Sequence, residues 1–253
     1  MKITNYSSIA HKYDENQYRL DELRFDSDLK EYTNRNKKSL YHVLDLSCGT
    51  GLYLEKQMKF FEGQNIEWHG LDACKAMLEK AKKRLSNVTL IEAYAEETPY
   101  QPETFDFIYN NYAFHHYAEK EKALDEICRV LVKGGIYKLH NIAIHKMQKW
   151  WVYHYFPSAY YEDLKRFWDS EVIFNELVTR GFDINLKIEY RMEKIRVSDY
   201  LSHAVNRDIS VLTLINDRDY EEGLERMKYD LSMNPNKTIV NDFAEMFCIA
   251  RKL

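Results

Sequence analysis

The chain has 253 residues, a length that corresponds to one or two domains. Its 8 glycines and 4 prolines exclude collagen-like and linker-rich classes, and its 45% hydrophobic residues exclude a mainly disordered chain. The net charge of −4 provides no basic excess to attract nucleic acid or an anionic membrane, so we expect neither as a partner.

Cysteine usage and apolar runs predict the compartment. The four cysteines lie far apart and form no C-x-x-C pair, so the sequence predicts neither a disulfide framework nor a zinc knuckle. The N-terminal residues lack the apolar core of a signal peptide, and no apolar run approaches the roughly 18 residues of a membrane span. We expect a cytoplasmic protein that is a monomer or a homodimer.

Short apolar runs alternate with amphipathic segments as far as residue 143, after a polar N-terminal segment at 1–40 that is predicted to be helical. The apolar runs are predicted strands, at residues 41–46, 65–72, 88–93, 105–110 and 136–143. The amphipathic segments are predicted helices, at residues 51–61, 73–85 and 119–132, the last of them stopped by Gly134 and Gly135. This alternation is typical of βαβ units, so it predicts an α/β fold with a parallel sheet.

The pattern changes beyond residue 143. The next segments are predicted to be an aromatic helical region at 147–180, a strand at 182–190, a helical region at 197–231 and a strand at 245–252. We interpret residues 41–253 as one domain with helical insertions at 146–170 and 195–232. A ligand of such a sheet binds beyond the carboxyl ends of the strands.

The loop after the first predicted strand reads DLSCGTG, residues 45–51. A glycine-rich turn before a helix brings backbone N–H groups close to a ligand. A dinucleotide site has a third glycine where this chain has Leu54, and Asp45 would repel a pyrophosphate. The loop therefore favours a cationic ligand over a dinucleotide, with a purely structural turn as the remaining alternative.

The second landmark is Asp72, at the end of the second predicted strand and 21 positions after Gly51. A carboxylate at this place accepts hydrogen bonds from ribose hydroxyls. Taken alone, it suits an adenosine-containing methyl donor and NAD equally well.

Together these motifs carry a family resemblance. VLDLSCGTG, GLDACKAMLEKAKKR, AEETPY, FDFIYNNYAFHHY and EICRVLVKGG follow one another at the right spacing over residues 41–143. In this series the chain resembles the class I S-adenosylmethionine-dependent methyltransferases, in the branch that includes quinone-biosynthesis and other small-molecule enzymes.

The resemblance implies a Rossmann-like, seven-stranded, mostly parallel sheet with helices on both faces and an antiparallel last strand. It implies S-adenosylmethionine as methyl donor and S-adenosylhomocysteine as product. The residues that it assigns to the cofactor are Asp45, Ser47, Gly49, Gly51, Asp72, Ala73, Met77, Ala95, Glu96, Asn110 and Tyr112. In this assignment the loop holds the methionine part, Asp72 the ribose and Glu96 the edge of the adenine.

The chain departs from the family pattern at two positions. Ser47 replaces the first glycine of the loop, where a left-handed backbone suits serine poorly. Tyr94 replaces an aspartate that accepts from the adenine amino group in the family, so Glu96 or the backbone must serve instead.

Methyl transfer from a sulfonium is an in-line displacement, and it depends chiefly on alignment, worth about 7–11 kcal/mol. A general base helps when the nucleophile carries a proton. His115 and His116 follow the fourth predicted strand and are candidates for this base, with structural packing as the alternative. No His, Asp or Glu spacing in the sequence predicts a metal site.

In this family the substrate is covered by the N-terminal segment and the segment after the fifth strand. The side chains expected to contact it are Tyr6, His140, Trp150 and Tyr153, and Tyr13 is expected to close over the cofactor. Ordinary helix packing is the alternative for these aromatic residues. Residues 110–113, Asn-Asn-Tyr-Ala, lack the Asn/Asp-Pro-Pro signature of methyltransferases that act on nucleic-acid amines.

The sequence therefore predicts methyl transfer to an O, N or C nucleophile of a small molecule. The alternatives are a methyltransferase of peptide or protein side chains and a protein that binds S-adenosylmethionine without turning it over. An NAD-dependent oxidoreductase is disfavoured by Leu54 and Asp45.

Overall fold

The computed structural model describes Asp14 and residues 24–253. Within this part of the chain the seven strands are β1 (Tyr41–Leu46), β2 (Ile66–Asp72), β3 (Val88–Glu92), β4 (Phe105–Asn111), β5 (Leu131–Ile142), β6 (Phe182–Arg196) and β7 (Thr238–Lys252). The α-helices of the same residues are α1 (Ser27–Asn36), α2 (Leu52–Phe60), α3 (Lys75–Arg84), α4 (Lys120–Val130), α5 (Trp151–Tyr155), α6 (Pro157–Leu164), α7 (Ser170–Thr179), α8 (Ser198–Val205) and α9 (Asp217–Met233).

All seven strands form one sheet in the order β3-β2-β1-β4-β5-β7-β6. β1 pairs in parallel with β2 and β4, β2 with β3, and β4 with β5. β7 runs antiparallel to β6, because Leu253 donates its N–H to Gly181 O at one end and Val197 donates to Lys237 O at the other. The mixed α/β sheet predicted from the sequence is confirmed, including its antiparallel last strand.

The order of strands fixes where a ligand binds. β1 lies between β2 and β4, and the chain crosses from β3 to β4 on the other side of β1, so the strand order reverses between β1 and β4. Ligands of open α/β sheets bind at such a switch point, beyond the carboxyl ends of the strands. The carboxyl ends of β1, β2 and β4 therefore frame the candidate site.

The chain divides into two compact units. Among the described residues, the first unit contains Asp14 and residues 24–140, 174–186 and 248–253, and the second unit contains residues 141–173 and 187–247. The core of the first unit is a cluster of buried apolar side chains from α1, α2 and the central strands: Leu29, Tyr32, Tyr41, Val43, Leu54, Phe61, Trp68, Phe107 and Tyr109. Burial of this cluster explains why β1 and β4 read as nearly continuous apolar runs.

Two element boundaries between α4 and β5 differ from the predictions. The helix predicted at 119–132 ends at Val130, and β5 begins directly at Leu131. Gly134 and Gly135 therefore lie inside the strand, where the register with β4 shifts. A Cβ on Gly135 would approach Asp106 O to 3.1 Å, so the glycine allows the two strands to pack closely there.

The second unit contains the helices α5, α6, α8 and α9 with parts of α7, β6 and β7. Its centre is a buried network in which Tyr153 donates to Asp163 Oδ2 at 2.8 Å and Arg166 pairs with the same carboxylate. Trp150 packs edge-on against Tyr153, with ring centroids 5.1 Å apart. No helix among the described residues is long and apolar enough to cross a membrane.

Candidate cofactor site

The loop between β1 and α2 folds over the end of β2. Ser47 and Cys48 both donate their N–H groups to Leu71 O, at 2.7 and 2.9 Å. Three of its residues have left-handed backbones, with φ of 69° at Ser47, 55° at Gly49 and 75° at Gly51. The loop therefore makes the glycine-type turn that the sequence predicts, even though its first left-handed position is a serine.

Gly51 is required for a second reason. A Cβ at this position would approach Leu85 Cδ1 to 2.7 Å and Ala81 Cβ to 3.2 Å. The absence of a side chain thus allows the start of α2 to pack against the end of α3. This close contact fixes the position of the first turn of α2, and with it the direction of the N–H groups of that turn.

Asp72 joins the loop to the next strand. Its Oδ2 accepts from the Gly49 N–H at 2.8 Å, and its Oδ1 accepts from the Cys74 N–H at 2.8 Å. Burial raises the pKa of this carboxyl group, and the two backbone N–H groups oppose the rise. A carboxylate oxygen can accept more than one hydrogen bond, so both oxygens retain capacity for a ligand hydroxyl.

Asp45 lies at the fifth position of β1 and is 3% exposed. Burial, together with the smaller effect of the negative charge of Asp72, raises its pKa from 3.8 to about 7. A buried carboxyl group of this kind becomes fully ionised near neutral pH when a positive charge lies beside it. The pair of Asp45 and Asp72 therefore makes this end of the sheet attractive to a cation.

Asn110 connects the end of β4 to the loop. Its side-chain amide donates to Leu46 O at 3.2 Å and to the Tyr117 hydroxyl, and that hydroxyl lies 2.9 Å from Ser47 Oγ. Asn110 is completely buried, yet its Oδ1 accepts no hydrogen bond from the residues that the structure describes. A buried acceptor without a partner costs free energy, so this oxygen is suited to a ligand donor.

Tyr112 directly follows β4, and His140 lies two residues before the end of the neighbouring strand β5. Tyr112 has a left-handed φ of 51°, and its N–H donates to His140 O at 2.8 Å. Its hydroxyl lies 3.1 Å from His140 Nε2, and the two rings are 4.4 Å apart between centroids. The structure therefore brings together two side chains that the sequence assigned separately to cofactor and substrate.

The residues assigned to the adenine are placed in different environments. Met77 and Ala95 are buried at 2% and 3% exposure, and Ala73 is exposed. Glu96 is partly committed elsewhere, because its Oε1 accepts from the Ala118 N–H at 2.9 Å just before α4. Tyr94 is 69% exposed.

The candidate bases follow β4 in a single 3₁₀ turn, Phe114–His116. His115 is buried and His116 is partly exposed, and their ring centroids lie 3.9 Å apart. Contact between the two rings is compatible with a general base and equally with structural packing, so the role of a general base stays a prediction.

The predicted substrate residues Trp150 and Tyr153 belong to the second unit, where each is 6% exposed. Their burial within its aromatic core fits the packing alternative, and their contact with a substrate stays a prediction. They do not line the cleft of about 360 Å³ in this unit, whose walls include Lys149, His154 and Lys237. Tyr6 and Tyr13 lie outside the described residues.

Sequence reasoning missed one member of the site. Tyr117 is 7% exposed and links Ser47 of the loop to Asn110 of β4 through its hydroxyl. It is the last letter of the FDFIYNNYAFHHY motif, but nothing in its spacing distinguishes it from a packing aromatic. Its role depends on the 3₁₀ turn that directs it back toward the loop.

Comparison with known proteins gives a family match for part of the chain. Residues 44–139 match the family model described as "Methyltransferase domain". The ubiquinone/menaquinone biosynthesis C-methyltransferase UbiE of Campylobacter jejuni is 36% identical over 104 residues, which are 40% of this chain and 43% of that protein. The chain thus spans less than half the length of this curated relative.

Two solved structures are similar over most of the chain. YcgJ of Bacillus subtilis has a TM-score of 0.57 at 17% identity and covers 88% of this chain and 96% of its own. Phosphoethanolamine N-methyltransferase 2 of Haemonchus contortus, solved with S-adenosyl-L-methionine, has a TM-score of 0.55 at 18% identity, covering 88% of this chain and 51% of its own. At these identities the likeness establishes a shared fold.

Proposed function

We propose that the protein transfers a methyl group to an O, N or C nucleophile of a small molecule. The premise is the class I S-adenosylmethionine-dependent methyltransferase domain that this chain carries. The observation that carries the proposal is the carboxylate of Asp72, which holds the Gly49 N–H of the loop and retains capacity for ribose hydroxyls. UbiE, a C-methyltransferase by name, supports the small-molecule class of acceptor.

The described residues fit S-adenosylmethionine. Asp72 would accept from the ribose hydroxyls, Asp45 would favour the positive charges of the methionine part, and the Asn110 carbonyl oxygen, which lacks a partner within the described chain, would accept from a ligand donor. Ser47, Gly49 and Gly51 would surround the ligand with backbone groups, and Tyr112 would border the reacting centre. Met77, Ala73, Ala95 and Glu96 would contact the adenine.

The bound cofactor supplies a methyl group that is already activated on a cationic sulfur. The protein then has to align the acceptor and exclude water, which is the larger part of such catalysis. His115 or His116 would take the proton of an O or N acceptor. Tyr112 and His140, in contact at the ends of β4 and β5, would orient the acceptor.

A NAD-dependent reaction is the competing interpretation of the loop. Leu54, which stands in place of the third glycine of a dinucleotide fingerprint, is completely buried in α2. Asp45 would face a pyrophosphate with a negative charge. Both observations favour a cationic nucleoside ligand.

The test is calorimetric titration of the protein with S-adenosylmethionine and with NAD. We expect S-adenosylmethionine to bind more tightly, and Asp72→Ala to weaken its binding at least tenfold, about 1.4 kcal/mol. Asp183→Ala is the matched control, because Asp183 pairs on the surface with Arg251. Tighter binding of NAD, or unchanged affinity in Asp72→Ala, would contradict the proposal.

An acceptor screen separates the alternatives that share the cofactor. Formation of S-adenosylhomocysteine with small molecules supports the proposal, and formation only with peptides supports a side-chain methyltransferase. Tight binding without product for either class supports the non-catalytic alternative. From the charge of −4 we propose that nucleic acid is not an acceptor, that the protein works in the cytoplasm, and that it is a monomer or homodimer.

A further inference from the structure

Three side chains with metal-binding atoms meet near the beginnings of β1 and β2. His42 of β1 lies opposite Glu67 of β2 in the register, and His69 follows Glu67 by two positions. Because side chains two apart on a strand point to the same face, Glu67 and His69 share the face on which they meet His42. One ligand atom from each residue lies within 4.8 Å of the other two.

The distances between the ligand atoms suit a metal ion with tetrahedral coordination. Glu67 Oε2 lies 3.5 Å from His42 Nδ1, and Glu67 Oε1 lies 3.3 Å from His69 Nε2. Zinc binds imidazole nitrogen and carboxylate oxygen at about 2.0–2.2 Å, which places neighbouring ligand atoms of a tetrahedron about 3.3–3.5 Å apart. Each of these two imidazole nitrogens therefore lies about one edge of a zinc coordination sphere from the Glu67 oxygen that faces it, and the ligand atoms of the three residues all lie within 4.8 Å of one another.

Among the described residues, three of the four imidazole nitrogens have no polar contact of their own other than with the Glu67 carboxylate. Neither nitrogen of His69 nor Nδ1 of His42 has a hydrogen-bond partner of good geometry among the described residues. The side chain of His69 is only 9% exposed and packs edge-on against Tyr100 and Phe105, with centroids 5.6 and 5.1 Å away. Burial of imidazole nitrogens that lack a hydrogen bond of good geometry costs free energy, and coordination of a metal ion would offset this cost.

We propose that His42, Glu67 and His69 bind a divalent transition-metal ion, and that Zn²⁺ is the ion that this donor set suits best. Two neutral imidazoles and one carboxylate supply three ligands, and solvent reaches the site through Glu67, which is 48% exposed. A water molecule would complete the fourth position. The hard cation Mg²⁺ prefers oxygen ligands and would not be held.

The site is distinct from the candidate cofactor site and does not depend on the proposed function. His42 lies three residues before Asp45 and His69 three residues before Asp72, in each case about 10 Å along the strand. An ion here would link β1 to β2 in the middle of the sheet. Metal binding that requires the folded arrangement of ligands stabilises the folded state, so the expected effect is a gain in stability.

The experiment uses the full chain, freed of metal with a chelator and then titrated with Zn²⁺. We expect about one Zn²⁺ per chain, a higher unfolding midpoint with Zn²⁺ but not with Mg²⁺, and the visible absorption of a tetrahedral site with Co²⁺. Glu67→Gln, His69→Gln and His42→Gln should each weaken Zn²⁺ binding at least tenfold.

His203→Gln is the matched control, because His203 pairs with Asp208 on the second unit and lies outside the cluster. It should leave Zn²⁺ binding unchanged. Circular dichroism of the metal-free variants checks that they fold, and His42→Gln, at a partly exposed position, guards against unfolding of the buried His69 variant. Absence of bound Zn²⁺, or binding that survives all three ligand variants, overturns the proposal.

Discussion

Ser47 occupies a backbone conformation that glycine usually occupies. A left-handed φ costs a residue with a Cβ roughly 1–2 kcal/mol, and Ser47 offsets part of this cost through the contact of its hydroxyl with Tyr117. The sequence shows the replacement of glycine by serine, but the hydrogen bond that compensates for it depends on the 3₁₀ turn at 114–116.

At position 47 glycine should therefore be more stabilising than alanine, which is the reverse of their order in a helix. Ser47→Ala keeps the backbone strain and loses the hydrogen bond, so we expect a loss of about 1–2 kcal/mol in the free energy of unfolding. Ser47→Gly loses the hydrogen bond but relieves the strain, and it should remain within about 1 kcal/mol of the parent. Urea denaturation measures both; an alanine variant as stable as the glycine variant would contradict this account.

Because of Asp45, the free energy of unfolding should fall as the pH rises, which is the opposite of the usual effect of a carboxyl group. Its pKa is raised to about 7 in the folded protein from 3.8, so its stabilising contribution is complete below about pH 4 and is lost as the pH rises through 7. Asp45→Asn has no carboxyl group to ionise. Its free energy of unfolding should therefore exceed that of the parent at pH 8, by a few kcal/mol at most, and should differ little from it at pH 4.

The same substitution should weaken the binding of S-adenosylmethionine, because it removes the negative charge that faces a cation. Urea denaturation at several pH values and calorimetry measure the two effects. Asp183→Asn, on the surface, is the control. A variant that loses stability at pH 8 would show that Asp45 is already stabilised by a partner in the free protein.

At the scale of elements, a polar network fastens the segment around Ala95 and Glu96 to α4. Glu126 accepts from the Thr98 N–H at 2.8 Å and from its hydroxyl, while Arg129 pairs with Glu126 and donates to Tyr100 O at 2.8 Å. The predicted adenine edge is thus positioned by side chains about 30 residues further along the chain. No local pattern in the sequence could indicate this.

Glu126 should make the protein sensitive to acid. Its hydrogen bonds with Arg129 lower its pKa from 4.5 to about 2, so its stabilising contribution is present above pH 4.5 and is lost as the pH falls toward 2. Glu126→Gln should cost about 1–2 kcal/mol at pH 7, a value reduced for solvent screening. The difference between parent and variant in urea denaturation should shrink between pH 5 and 3; a constant difference would assign the effect to packing.

The end of the sheet formed by β7 and β6 shows where sequence patterns fail. The first four strands follow their predictions to within one residue. Burial of β1, β2 and β4 produces the apolar runs that mark them. β6 and β7 extend well beyond the predicted 182–190 and 245–252. β6 is the edge strand, and most of its second half is exposed and charged, so it lacks the apolar alternation that marks a strand.

At the scale of the whole molecule, the sequence located the landmark positions but not the contacts among them. Asp45 and Asp72 are predicted from their places at strand ends and Asn110 from the family resemblance, and the parallel sheet brings these strand ends together. The link through Tyr117 and the meeting of His42 with Glu67 and His69 depend on register and turn geometry. Spacing along one strand gives no information on the residues that lie opposite.

Asp72 does more than recognise a ligand, and this limits how the protein can change. Its two oxygens hold the backbone at Gly49 and Cys74, so the side chain that would select a ribose also sets the shape of the loop around it. A substitution intended only to alter nucleoside preference would also release the loop. Redesign of specificity at this position therefore requires a second change that holds the loop in place, and single-step evolution away from this ligand is obstructed.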